Sequence, residues 1–256
     1  MIGLGLHSRS SKHKIDRIER LGETFLEWNI NKKNNMIHEI WNAYGLNTTY
    51  LENNNSISKN DLISSKEFEL FFNVFGVRNH VTNILKHKRR IEKIYDTLST
   101  KCLSPELTKE AIMDHDNSVL IHFDEIVGFT IRNIWKVSSN LFSRAAEQHF
   151  LTNPHHPEYF SMRTEGREDE NKVEENDENE ETSDDEEKNE NLHGNMNYVD
   201  LLESIVDKVA VNWEQHFGNY AEPSPLMWND LPEEYLKKYT QFDKRLVKDI
   251  LKSCNQ

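Results

Sequence analysis

The sequence predicts an all-α fold, and three observations carry that prediction. Apolar residues recur at three- and four-residue steps through 15–28, 36–46, 62–76, 80–98, 106–115, 124–149, 198–216 and 233–251, the spacing that lines one face of a helix. No stretch sustains the apolar–polar alternation of a half-buried strand, and no Asn-Gly or Asp-Gly pair marks a hairpin. Helix-start signals precede several of the periodic stretches. No internal repeat with a period of 20 to 50 residues accompanies them.

Taken in order, 15–28 and 36–46 are amphipathic, with Trp28 and Trp41 at core-facing positions, and a polar break, "TTYLENNNSISKND", ends the pair. "SSKE" (Ser64, Glu67) is a capping-box pattern opening 62–76. These helices form an N-terminal extension, 1–79, whose role as cap, lid or dimer surface the sequence leaves open. In 80–98, Ile84, His87, Ile91 and Tyr95 share a stripe, which places His87 toward the core. "SPEL" sets Ser104 as N-cap and Pro105 at the first position of 106–115. There Leu107, Ala111 and His115 recur every four residues, and Asp116 follows directly. Through 124–149, Ile126, Thr130, Ile134, Val137, Leu141, Ala145 and His149 form one seam ending in a histidine. In 198–216 an acidic strip of Asp200, Glu203 and Asp207 runs beside an apolar one of Leu202, Val206, Val209 and Trp213. "LPEEYL" puts Pro232 and two acids in the first turn of 233–251.

Composition narrows the class. At 256 residues the chain can bury a sizeable core. Fifteen acids and three bases between Glu165 and Glu190 hold −12 of the net charge of −13, so the remainder is near −1 and offers no basic footprint for nucleic acid. That acidic stretch, 163–193, is read as a disordered insertion in a helical domain spanning 80–256, because Val173 is the one large apolar residue of 163–191. Such a run is ordinarily a solvated spacer; the sharper reading makes 163–191 an arm for a basic protein partner. Cys102 and Cys254 fit no metal spacing and suggest a reducing, cytoplasmic setting. No run of eighteen apolar residues predicts a membrane span. Nine glycines in no phosphate-cradling pattern argue against a nucleotide-binding loop.

The histidines point to chemistry. "HFLTNPHHPEY" (149–159) gathers His149, His155 and His156 where a helical pattern ends. One histidine on an apolar stripe is ordinarily a hydrogen-bonded core residue. Burying His87, His115 and His149 on three helices is costly unless they satisfy one another. Convergence on a cation would remove that cost.

The order His87, His115-Asp116, Asp207 resembles the ligand pattern of HD-domain metal-dependent phosphohydrolases. The stretches "ILKHKRRIEKIY" (84–95), "DHDNS" (114–118), "HFLTNPHHPEYF" (149–160) and "MNYVDLLESIVDK" (196–208) resemble, in order, an uncharacterised viral and bacterial family of HD-like character. The resemblance spans about 84–216. It implies an HD-domain-like helical bundle with His87, His115, Asp116 and Asp207 as metal ligands. His149, with His155 or His156, takes the place of additional histidines that hold a second ion bridged by the aspartate, which makes Asp116 and His149 the candidate catalytic residues. Asn153, Glu158, Ser118 and Asp200 fall at candidate outer-shell or substrate positions. Two departures stand out: the resemblance expects lysine where Val119 stands and tryptophan where Lys208 stands.

Mixed nitrogen and oxygen ligation suits one or two ions of Mn, Fe, Co, Ni or Zn. The expected activity is metal-dependent hydrolysis of a small phosphate ester or nucleotide. A mixed-metal, di-iron oxygenase and a catalytically decayed helical interaction protein are the alternatives.

Overall fold

The computed structural model describes residues 6–48, 51, 61–160, 162, 196–218 and 222–255. Every regular element among them is helical. The segment read as a disordered insertion, 163–193, lies outside the described residues, as does most of the polar break at 48–61. The helices are α1 (Leu6–Leu26), α2 (Ile30–Ala43), α3 (Ser65–Glu69), α4 (Val77–Ser99), α5 (Lys109–Asp114), α6 (Ser118–Ile121), α7 (Phe123–Trp135), α8 (Asn140–Thr152), α9 (Tyr198–Asn212), α10 (Leu226–Asn229) and α11 (Gln241–Ser253). π-helical turns extend α3 over Leu70–Val74 and α9 over Trp213–Phe217, and a 3-10 turn covers Glu233–Leu236. No described helix is long and apolar enough to cross a membrane.

The chain folds into two compact units, each drawn from two segments: 1–85 with 116–149, and 86–115 with 150–256. In the first, Asn29 caps α2 by accepting from the Lys32 amide at 2.9 Å. The expected capping box forms at Ser64 and Glu67, with reciprocal side-chain-to-amide bonds of 3.3 and 3.0 Å. Its core is aromatic. Phe25 meets Phe71 and Phe75 edge-on at 4.7 and 5.1 Å, and Phe71 stacks on Phe123 at 5.0 Å, geometries that favour the ring quadrupoles. Trp41 is buried as expected, with its indole N–H donating to the Leu120 carbonyl at 3.0 Å.

The single helix expected over 124–149 is two. Lys136 adopts a left-handed conformation (φ 58°) and ends α7, and Ser139 opens α8 by accepting from the Phe142 amide at 3.1 Å. The two helices pack back on one another at Gly128, where an added Cβ would lie 2.4 Å from the Ala145 Cβ and 2.7 Å from the Leu141 carbonyl oxygen. Only glycine admits that approach.

In the second unit the expected start at Ser104 gives way to a turn. Thr108 caps α5 instead, accepting from the Ala111 amide at 3.2 Å. Asn197 caps α9 and Thr240 caps α11 through bonds to the third residue beyond, at 2.9 and 3.1 Å. The apolar strip of α9 (Leu202, Val206, Val209) is fully buried among Ile91, Ile94 and Leu98 of α4 and Trp228 of α10. Against the reducing setting their spacing suggested, Cys102 and Cys254, 152 positions apart in sequence, meet in a disulfide with 4.9 Å between Cα atoms.

Candidate metal centre

In the second unit three residues from three local structures converge. His87 comes from α4, His115 from the C-cap of α5, and Asp207 from α9; one ligand atom of each lies within 4.8 Å of the others, and all three side chains are buried. His87 Nε2 donates to Asp207 Oδ1 at 3.1 Å, and His115 Nε2 stands 3.6 Å from the same oxygen. Helical register explains the placement: His87 continues the stripe of Ile91, and Asp207 stands next to buried Val206.

The opposite ring nitrogens are held by glutamates. His87 Nδ1 donates to Glu214 Oε1 at 2.9 Å, and Arg90 donates to the same oxygen at 2.7 Å. His115 Nδ1 donates to Glu203 Oε1 at 3.0 Å, and His155 Nδ1 lies 3.2 Å from that oxygen. The rings of His115 and His155 sit 4.2 Å apart, centroid to centroid. Glu203, Asp207 and Glu214 follow at four and seven residues, so they lie near one face of α9 and its π-helical extension. Fixing one imidazole nitrogen through a carboxylate directs the other toward a metal.

Electrostatics follow from this packing. Burial opposes protonation of His87, yet Asp207 and Glu214 outweigh it and push its pKa up to about 9. Burial likewise opposes ionisation of Glu203, but the His115 and His155 donors outweigh it and bring its pKa down to about 2. Asp207 is held well below the usual carboxylate range, because the Lys208 charge and the two imidazoles overcome its burial. His87 thus keeps a proton on Nε2, donated to Asp207 Oδ1. Buried His and Asp groups of this composition could hold a metal ion, and the imidazole–carboxylate donor set fits a first-row transition ion.

The other expected residues of this unit are His156, Asn153, Glu158 and Asp200. His156 lies 4.2 Å, ring to ring, from His155. Asn153 donates to Thr152 Oγ1 at 3.0 Å, and its carbonyl accepts from the His156 amide at 3.1 Å, tightening the Pro-His-His turn. Glu158 pairs with Lys238. Asp200 bonds with Asn197 in the first turn of α9, and burial together with nearby Glu203 raises its pKa.

The first unit carries the remaining expected residues. His149 Nε2 faces Asp116 Oδ1 at 3.3 Å, and its Nδ1 lies 3.1 Å from Glu125 Oε2. Ser118 donates to Glu125 Oε2 at 2.8 Å and stands 2.9 Å from His149 Nδ1. Glu125 is fully buried and also receives His122 Nδ1 at 2.7 Å. Burial opposes a charge on His149, but Asp116 and Glu125 push its pKa up to about 9. Asp116 holds a left-handed backbone (φ 52°), which aspartate tolerates better than most residues.

Each of His87, His115 and His149 therefore stands between an aspartate at Nε2 and a glutamate at Nδ1. The sequence reading missed Glu125 and Glu214, and it took Glu203 only as part of an acidic strip. The four- and seven-residue spacing from Asp207 was the available signal for Glu203 and Glu214. Glu125 had none, since an acid in a helix's first turn ordinarily faces water.

No curated protein and no solved structure matches this chain. Residues 76–253 match a family model described as a family of unknown function, and that match spans α4 through α11. The chain belongs to that family, DUF5662.

Proposed function

We propose that this protein is a metal-dependent phosphohydrolase of HD type, acting on a small phosphate ester or nucleotide. The observation that supports it is the repeated aspartate–imidazole–glutamate arrangement, in which His87 and His115 turn Nε2 toward Asp207 while Glu214 and Glu203 hold their Nδ1 atoms. Histidines that merely filled a core would need one hydrogen-bond partner each, not a carboxylate on both sides.

A bound transition ion would supply a Lewis acid for a phosphoryl oxygen and a water of lowered pKa. His87, His115 and Asp207 would hold it. Glu203 and Glu214 keep the Nδ1 protons in place, so both imidazoles present Nε2 lone pairs. To hold an ion His87 would have to release the Nε2 proton it donates to Asp207, which would link binding to proton release. Asp116 and His149, which share the same pairing, are the residues proposed for a second ion and for the reacting water.

The experiment is phosphate release from a panel of phosphate monoesters and nucleotides, with Mn, Fe, Co, Ni or Zn supplied in turn. Metal-dependent turnover that His87→Ala, and separately Asp116→Ala, abolishes supports the proposal. No turnover with any ion, in protein shown to carry metal, refutes it; iron-dependent oxygen consumption in that protein would favour an oxygenase.

A further inference from the structure

Lys208 follows Asp207 on α9, and its side chain is 18% exposed. Its Nζ lies 2.7 Å from Asp207 Oδ2, while Asp207 Oδ1 faces the two imidazoles. Asp207 thus divides its oxygens, one toward the place for a cation and one toward an ammonium. Among the described residues Lys208 makes this one hydrogen bond. An ammonium has three N–H donors, so two remain to be offered. Glu158 and the Tyr239 hydroxyl lie near enough to contribute to the field at Lys208. Glu158 is already paired with Lys238, and Tyr239 with Ser204.

Two cations held by one carboxylate still repel each other. A divalent ion on Oδ1 would repel the ammonium on Oδ2 across a few ångströms in a low-dielectric pocket. A ligand carrying several negatively charged oxygens resolves that repulsion, with one oxygen on the ion and another on Nζ. A neutral ligand offsets neither charge.

We propose that Lys208 is the oxyanion-receiving residue of this centre, binding the non-metal-bound oxygens of a phosphate-class ligand. The inference rests on the metal reading of His87, His115 and Asp207 and deepens it. Lys208 is a specificity residue here; because it also hydrogen-bonds the ligand Asp207, metal affinity and phosphate affinity are read separately.

The test uses the full chain loaded with its ion, titrated with inorganic phosphate by calorimetry, alongside Lys208→Met and Lys208→Arg. Metal affinity is measured separately by chelator competition. Lys208→Met is expected to keep its ion at wild-type affinity or tighter, since a repelling charge is gone, and to bind phosphate about 10- to 100-fold more weakly, the contribution of a charge-assisted hydrogen bond. Lys208→Arg is expected to restore most of that loss. Equal phosphate affinity in wild type and Lys208→Met overturns the proposal, as does a metal-loaded wild type that binds no phosphate. Loss of the ion in Lys208→Met overturns it differently, making Lys208 a counter-ion that positions Asp207. A wild type that takes up no metal removes the underlying centre, a result distinct from failure of the lysine alone.

Discussion

Replacing Glu203 with alanine removes one carboxylate oxygen on which two buried imidazoles converge, His115 Nδ1 at 3.0 Å and His155 Nδ1 at 3.2 Å. Both histidines are 2% exposed, so neither N–H finds bulk water when the carboxylate is gone. A buried donor left without its acceptor costs about 1–3 kcal/mol, and two give about 2–6 kcal/mol. Water entering the space left by the side chain returns part of this, so about 3 kcal/mol is the expected loss of stability in the metal-free protein. A second consequence separates orientation from packing. Without Glu203 the His115 ring is free to turn and to carry its proton on either nitrogen, and metal affinity should fall about 10- to 100-fold. Glu203→Gln keeps a carbonyl acceptor without the charge and should lie between wild type and Glu203→Ala on both scales. Urea unfolding of the metal-free protein reads the first effect, and competition with a chelator of known affinity reads the second. A Glu203→Ala variant that binds the ion as tightly as wild type would refute the reasoning, whatever happens to its stability.

Other predictions concern the fold. His80 is fully buried and stacks parallel to Phe129, and burial lowers its pKa from 6.5 to about 4. The unfolded chain binds more protons between those values, so His80 removes about 3 kcal/mol of stability as pH falls from 6.5 toward 4. Urea midpoints of wild type and His80→Phe across that range should show the variant losing less; parallel curves would contradict the burial account. Gly128→Ala forces a methyl to within 2.4 Å of the Ala145 Cβ and should cost about 3 kcal/mol, read as a lowered thermal midpoint, whereas a neutral result would mean that α7 and α8 separate easily. The Cys102–Cys254 bond closes a loop of 152 residues, and chain-entropy arguments assign about 5 kcal/mol to it as an upper figure. Intact-mass and unfolding measurements with and without reductant, compared with Cys102→Ser, check both the bond and its contribution.

How much of this was legible in the residues differs element by element. His87 could be read inward because it lies on an apolar stripe, Asp207 entered only through the resemblance, and the capping box at Ser64 and Glu67 needs only local geometry. The break at Lys136 was hidden: the seam from Ile126 to His149 keeps helical steps across it, and a lysine in a left-handed conformation leaves no compositional mark. Gly128 was the clue in that stretch, legible only once its contact with Ala145 is known. Ser104-Pro105 looked like the better helix start, yet Thr108 four positions later forms the cap, because Leu103 and Leu107 are buried through the intervening turn. The disulfide joins residues too distant for any local signal. The orienting glutamates were hidden for a different reason. Glutamate on a helix ordinarily faces water, and the imidazole contacts that give Glu125, Glu203 and Glu214 their roles are formed only in three dimensions.

The most direct measurement is elemental analysis of the purified, tag-free full-length protein expressed with trace transition metals. A centre built from His87, His115 and Asp207 predicts at least one equivalent of Mn, Fe, Co, Ni or Zn per chain, lost on His87→Ala or Asp207→Asn in protein that still unfolds cooperatively. Wild-type protein that carries no such ion, and takes none up on titration with any of the five, would contradict the account.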